Sequence, residues 1–72
     1  MKYLIVIEET KTGFSTYSPG IDDCVATGGT KQEVENNIQE AMEFHLKSML
    51  MEKQKIPHSH TYSNYLEIEA IA

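Results

Sequence analysis

Cysteine, positive charge and long apolar runs are all scarce in this sequence. Its 72 residues include one cysteine, Cys24, so no disulfide can form within the chain, and such usage is typical of a reducing cytoplasm. The apolar run near the start, Tyr3 to Ile7, is too short for a signal peptide or a membrane span, and acidic residues follow it directly. These absences predict a soluble cytoplasmic protein without a membrane partner.

Basic residues are outnumbered by acidic ones. Eleven Asp and Glu stand against six Lys and Arg, which gives a formal net charge of −5. This charge repels phosphate backbones, so the sequence argues against direct nucleic-acid binding by this chain and favours a basic partner. Residues 1–72 should form a single domain that buries only about 60% of its unfolded surface. Without a disulfide, self-association is the expected source of further stability.

The order of apolar, polar and turn-forming residues predicts an α+β domain with the element order βββαβ, in which one long helix covers one face of an antiparallel sheet. A polar turn that closes on Gly13 joins the first two strands as a hairpin. The helix carries an apolar stripe at helical spacing, and the last segment alternates with the period of a strand. The predicted elements are strands at 2–8, 14–18 and 24–27, a helix from Lys31 to about Lys53, and a strand at 65–70.

A strand-to-helix junction is predicted at Gly28-Gly29-Thr30-Lys31. Thr30 and Glu33 have the spacing of a capping box, in which the Thr30 hydroxyl accepts the Glu33 N–H and the Glu33 carboxylate accepts the Thr30 N–H. The helix should therefore begin at Lys31. A glycine pair before a helix can also cradle a phosphate, but a tight turn explains these glycines without a ligand.

The first strand is apolar on both of its faces, with Leu4 and Val6 on one side. A single helix covers only one face of a sheet, so a second copy of the chain or a partner protein should cover the other. We therefore predict a homo-oligomer, a dimer or a tetramer. For the two helix residues of this predicted interface, the alternative interpretation is that each is an isolated apolar side chain exposed to solvent. The predicted interface consists of Tyr3, Ile5 and Ile7 from the strand, with Phe44 and Met51 from the polar side of the helix.

No cofactor, metal ion or catalytic residue is predicted. His58 and His60 have the spacing of some metal ligands, but no third ligand with suitable spacing accompanies them. Acidic neighbours raise the pKa of a thiol, so Cys24 is interpreted as a small core residue and not as a nucleophile. His45 lies within the apolar stripe of the helix and is interpreted as a core histidine.

One long stretch of this sequence resembles the signature of HicB-like antitoxins. It runs from Tyr17 to Thr30 as Tyr-Ser-Pro-Gly-Ile-Asp-Asp-Cys-Val-Ala-Thr-Gly-Gly-Thr, and continues through Glu33-Val34 and through Glu-Ala-Met-Glu-Phe-His-Leu at 40–46. The resemblance is weaker, though consistent in layout, before Phe14 and after Leu46. Where the family usually has Pro-Asp-Leu-Pro-Gly-Cys and Gly-Asp-Thr, this chain has Pro-Gly-Ile-Asp-Asp-Cys and Gly-Gly-Thr. The fold implied is a reduced RNase H-like domain.

The resemblance implies a non-catalytic antitoxin that binds and neutralises a HicA-like toxin, a small basic mRNA endonuclease. Many such relatives carry a further C-terminal DNA-binding domain, which this chain is expected to lack. A metal-dependent nuclease is disfavoured because ribonuclease H chemistry needs an acid within the first strand, whose middle is Leu4-Ile5-Val6-Ile7. A solitary homo-oligomeric binding or regulatory module without a toxin partner remains the alternative.

The loop at 19–23 is the predicted contact with such a partner. Asp22 and Asp23 are expected to steer a basic toxin, with Ile21 as the apolar contact between them and Pro19. A solvated turn without a partner is the other interpretation of these residues.

Overall fold

A three-stranded sheet and one long helix make up the fold in a computed structural model that describes residues 2–69. The strands are β1 (Val6–Glu9), β2 (Phe14–Tyr17) and β3 (Val25–Gly28), and the helix is α1 (Lys31–Met51). Both strand pairs are antiparallel, in the order β1-β2-β3. The predicted α+β class, with one helix on one face of an antiparallel sheet, is confirmed.

The hairpin between β1 and β2 closes as predicted, on Gly13. The Thr10 N–H donates to the Gly13 carbonyl over 2.8 Å. Glycine is required here because a Cβ atom would lie 2.4 Å from the Gly28 carbonyl oxygen, which is inside van der Waals contact. The turn therefore packs its backbone directly on the end of β3.

Two side-chain hydroxyl groups, one in β2 and one directly after it, donate hydrogen bonds to backbone carbonyls near the start of the chain. The Thr16 hydroxyl donates to the Val6 carbonyl over 2.7 Å, and the Ser18 hydroxyl donates to the Leu4 carbonyl over 2.9 Å. Both hydroxyl-bearing residues are buried. Regular pairing begins at Val6, not at residue 2 as predicted, and a side-chain bond from Ser18 holds Leu4 beyond the end of the backbone ladder.

Thr30 caps the helix, and α1 begins at Lys31 as predicted. The Glu33 N–H donates to the Thr30 hydroxyl over 3.0 Å, and the Val34 N–H makes the first helical bond to the Thr30 carbonyl. The prediction that the Thr30 N–H donates to the Glu33 carboxylate was wrong. Among the described residues, only the first of the two capping-box bonds is formed.

The helix ends two residues before the predicted limit, at Met51. Lys53 adopts a left-handed conformation with φ of 58°, and the Gln54 N–H reaches back to the Met49 carbonyl over 2.8 Å. This closing bond is the one that a Schellman motif makes, with lysine where glycine is usual. The chain turns away from the helix axis at this point.

The helix buries its apolar stripe against β2 and β3. Val34, Ile38 and Met42 are the buried residues of the stripe, while His45 is half-buried within it. Ile38 and Met42 form one core cluster with Ile21 and Cys24 from the β2–β3 loop. The half-buried side chains that pack against this cluster are Tyr3, Ile5, Ala26 and Leu46.

The strand register shows which residues share each face of the sheet. It corrects the prediction that Tyr3, Ile5 and Ile7 lie on the face that the helix leaves uncovered. Thr16, opposite Ile7, is buried under the helix, and Tyr3 and Ile5 pack on the core. Tyr3, Ile5 and Ile7 thus belong to the helix-facing side, because alternate residues of a strand share a face. The face without a helix carries a cross-strand row of Val6, Tyr17 and Val25.

The predicted last strand is wrong for its described residues, 65–69, while Ala70 lies outside the described chain. A strand needs a neighbour for its N–H and C=O groups, and in one copy of the chain this segment pairs with none of the three strands. Leu66 and Ile68 remain 78% and 80% exposed. Within residues 2–69, no helix is both long and apolar enough to cross a membrane.

Candidate functional site

The β2–β3 loop is built around a buried isoleucine. The Ile21 N–H donates to the Ser18 carbonyl over 3.3 Å, which folds the loop back over the end of the sheet. Ile21 is only 1% exposed and belongs to the core cluster. The prediction that Ile21 contacts a partner is therefore wrong, since this side chain anchors the loop from inside.

The two aspartates of the loop project into solvent. Asp22 and Asp23 are exposed, Pro19 is half-buried, and Asp23 adopts a left-handed conformation with φ of 64°. Aspartate tolerates this conformation better than most residues do. The anchored loop therefore holds two negative charges at a fixed place beside the sheet.

Apolar side chains lie next to these charges, on residues that the sequence reasoning missed. Tyr17 ends β2, Val25 begins β3, and the two are paired across the strands. They are 43% and 68% exposed on the face without a helix. The sequence signal for their exposure was alternation along the strands, because Tyr17 follows Thr16 and Val25 follows Cys24, and both of these neighbours are buried. We name Pro19, Asp22, Asp23, Tyr17 and Val25 the loop patch.

Cys24 lies behind the loop patch as a free, buried thiol. Burial raises its pKa above the ordinary value, and the negative charge of Asp23 raises that pKa further. Both effects favour the neutral thiol, whereas a nucleophile needs the thiolate. Cys24 is therefore a core residue, as predicted.

The described chain offers no evident metal site. No group of three or more His, Cys, Asp or Glu within residues 2–69 is arranged to hold an ion. His58 and His60 are both exposed in the segment after the helix. At the strand-to-helix junction, a Cβ atom on Gly28 would lie 2.8 Å from the Val34 nitrogen, so this glycine permits close helix packing.

The residues predicted for an oligomer interface fall on two neighbouring surfaces. Tyr3 and Ile5 line an open groove between the residues that precede β1 and the helix, which we name the β1–α1 groove. Ile7 follows on the same side of β1, while Phe44 and Met51 are exposed on the helix. Their role in an interface stays a prediction. The side chains that line the groove are Lys2, Tyr3, Ile5, Glu35, Ile38, Gln39, Met42, Glu43 and Leu46.

Comparison with known proteins identifies the family. Residues 3–70 match the family model described as the HicB-like antitoxin of bacterial toxin–antitoxin systems. A UPF0150 protein of Synechocystis is 32% identical over 56 residues, which cover 76% of this chain and 71% of that protein. This chain therefore belongs to the HicB-like antitoxin family.

A phage relative and a solved structure agree with this assignment. An uncharacterized 14.9 kDa protein of Haemophilus phage HP1 is 32% identical over 66 residues, or 92% of this chain, which spans half the length of that protein. The solved structure is a HicA3 and HicB3 toxin–antitoxin complex. It matches with a TM-score of 0.68 and 32% identity, covering 83% of this chain and 70% of the matched chain. The fold and the family resemblance are thereby confirmed.

Proposed function

We propose that this protein is an antitoxin that binds and neutralises a HicA-like mRNA endonuclease, acting in the cytoplasm and without catalytic activity of its own. Membership of the HicB-like antitoxin family carries the proposal. A related chain occurs in a HicA3 and HicB3 toxin–antitoxin complex, which supports a toxin as the partner.

The loop patch is the proposed contact with the toxin. It joins apolar area on Tyr17 and Val25 to the exposed charges of Asp22 and Asp23. Such a combination suits a basic ribonuclease, because apolar area stabilises the complex while opposite charges speed the encounter. Ile21 keeps the loop in place from the core and is not part of the contact.

The antitoxin would act by covering the RNA-binding surface of the toxin. A net charge of −5 mimics the sign of the RNA that this surface binds, so toxin-bound RNA and antitoxin should exclude one another. No bond needs to be broken for inhibition of this kind. The protein is also proposed to be a homo-oligomer, which would present more than one loop patch to its partners.

A pair of charge reversals tests the contact. Asp22→Lys removes a steering charge from the loop patch, and Glu40→Lys makes the same charge change at an exposed site on the helix. We expect Asp22→Lys to slow association with the toxin at low salt, and this difference to shrink as added salt screens the charges. Asp22 is the better choice because Asp23 has a left-handed backbone.

The toxin to be tested in this experiment is the product of any adjacent small reading frame that encodes a basic, histidine-containing protein. Equal slowing by both reversals would remove the loop patch from the proposal. Absence of binding to such a product, with the chain purifying alone as a stable oligomer, would favour the solitary regulatory module. RNA cleavage by this chain alone, dependent on metal ions, would overturn both functions.

A further inference from the structure

The β1–α1 groove leaves apolar surface open beside an edge strand. The helix packs mainly on β3 and β2, so Tyr3 and Ile5 before β1, and Ile7 within it, are only half-buried on the helix-facing side. Across the groove, Ile38, Met42 and Leu46 continue the apolar lining on the helix. A short apolar segment could therefore be buried between β1 and α1.

The outer edge of β1, which directly follows the residues that line this groove, has no neighbouring strand among residues 2–69. In the order β1-β2-β3, β1 is paired only with β2 among the described residues. An edge of this kind presents unpaired N–H and C=O groups that another extended segment can use. The groove and the edge together form a site for an added strand.

The segment Tyr65–Glu69, which we name the C-terminal arm, has the pattern of such a strand. Leu66 and Ile68 alternate with Glu67 and Glu69, so the apolar side chains would share one face. The chain as a whole is elongated, with principal extents of 56 × 28 × 16 Å. The chain has a radius of gyration of 15.0 Å, against about 11 Å expected for a compact domain of this length.

The final segment passes beside the residues that precede β1 in its own copy. The Tyr3 hydroxyl donates to the Pro57 carbonyl over 2.6 Å, and Tyr65 shares a surface hollow with Ile5, Ile7 and Glu9. Leu66 and Ile68, which follow Tyr65, remain 78% and 80% exposed and pair with no strand of their own copy. These two side chains are therefore open to burial by a second copy.

We propose that the C-terminal arm of one copy adds as a strand to the free edge of β1 in a second copy, with Leu66 and Ile68 buried in the β1–α1 groove of that copy. A two-fold axis lets each copy give one arm and receive the other. Backbone bonds to β1 and apolar contacts in the groove act together, as in other strand-addition interfaces. Arm exchange does not depend on a toxin partner.

The oligomeric state of arm variants tests the exchange. Leu66→Asp combined with Ile68→Asp should raise the dissociation constant of the dimer by at least about 100-fold, because two apolar anchors per arm are lost. Tyr62→Asp is the matched control, since Tyr62 is equally exposed but precedes the arm. Sedimentation at micromolar concentration gives the state, and circular dichroism checks that the helix persists. A monomeric wild type, or a dimeric double variant, would overturn the proposal.

Cross-linking shows to which chain the arm is joined. In a Cys24→Ala background, one preparation carries Ile5→Cys and another, of distinguishable mass, carries Leu66→Cys. After the two preparations are mixed and refolded, a short bis-maleimide should cross-link one chain of each kind. The control preparation, which carries Tyr62→Cys in place of Leu66→Cys, should give much less of this cross-linked product. When both cysteines are placed in one chain, a cross-link closed within that single chain would contradict exchange.

Discussion

The glycine pair at the strand-to-helix junction gives the sharpest test of the fold, because two adjacent glycines differ in the space around them. A Cβ atom on Gly28 would lie 2.8 Å from the Val34 nitrogen and 3.1 Å from its Cα. A Cβ atom on Gly29 would meet nothing closer than a carboxylate oxygen of Glu33, at 3.8 Å. Neither glycine has a left-handed backbone, so steric space alone separates the two alanine variants.

For Gly28→Ala, the junction must open by several tenths of an ångström. Overpacking of this kind costs about 1–3 kcal/mol, while the less flexible unfolded chain returns about 0.4–1 kcal/mol. The net loss should be about 1–2 kcal/mol. A domain of this size has a total stability of roughly 4–11 kcal/mol, so the loss is easily measured. Gly29→Ala should be neutral or stabilising by up to about 1 kcal/mol.

Urea unfolding followed by circular dichroism measures both variants at one protomer concentration, because association would otherwise alter the apparent stability. The slope of the unfolding free energy against urea concentration should be the same for both variants, so that a change in the midpoint reports a change in stability. If the two alanine variants unfold at the same midpoint, close packing of Gly28 on Val34 is not what requires glycine at this junction.

Other substitutions address the cap, the core and the buried thiol. Thr30→Ala should lose about 1 kcal/mol of unfolding free energy, most of which Thr30→Ser should restore; a null effect would exclude the cap. Ile38→Ala, in the core, should cost about 2–5 kcal/mol, whereas Leu50→Ala, on the surface, should stay within about 0.5 kcal/mol, and similar melts would contradict the assigned burial. Because the pKa of Cys24 is raised on folding, its contribution to stability is complete below the ordinary thiol pKa and is lost as the pH rises through the folded pKa. Cys24→Ala should remove that alkaline component, and an unchanged pH profile would refute it.

Local sequence signals predicted the helix and the hairpin because each depends on neighbouring residues. The start of α1 follows from the Thr30 hydroxyl and the Glu33 N–H, three positions apart. The turn at Gly13 is likewise closed by a local bond, which the Thr10 N–H donates to the Gly13 carbonyl. The family resemblance extended these local predictions to the arrangement of the three strands and the helix.

Apart from the bond between the Thr30 N–H and the Glu33 carboxylate, the predictions that were wrong depended on contacts between distant residues. Ile21 was assigned to a partner because it sits among loop residues, but the fold turns it into the core. Tyr3 and Ile5 were assigned to the uncovered face because alternation gives two faces without saying which one the helix covers. The strand predicted at 65–70 has the right pattern, yet a strand also needs a neighbour, which the pattern cannot supply.

The measurement closest to the central claim is a titration of toxin activity. Increasing amounts of the purified chain are added to a HicA-like toxin, the product of any toxin-like gene adjacent to its own, and cleavage of an RNA substrate is followed at low and at high salt. Neutralisation predicts that cleavage falls to zero at a fixed molar ratio of chain to toxin, with weaker inhibition at high salt. Undiminished cleavage in the presence of a large excess of the chain would contradict the antitoxin function.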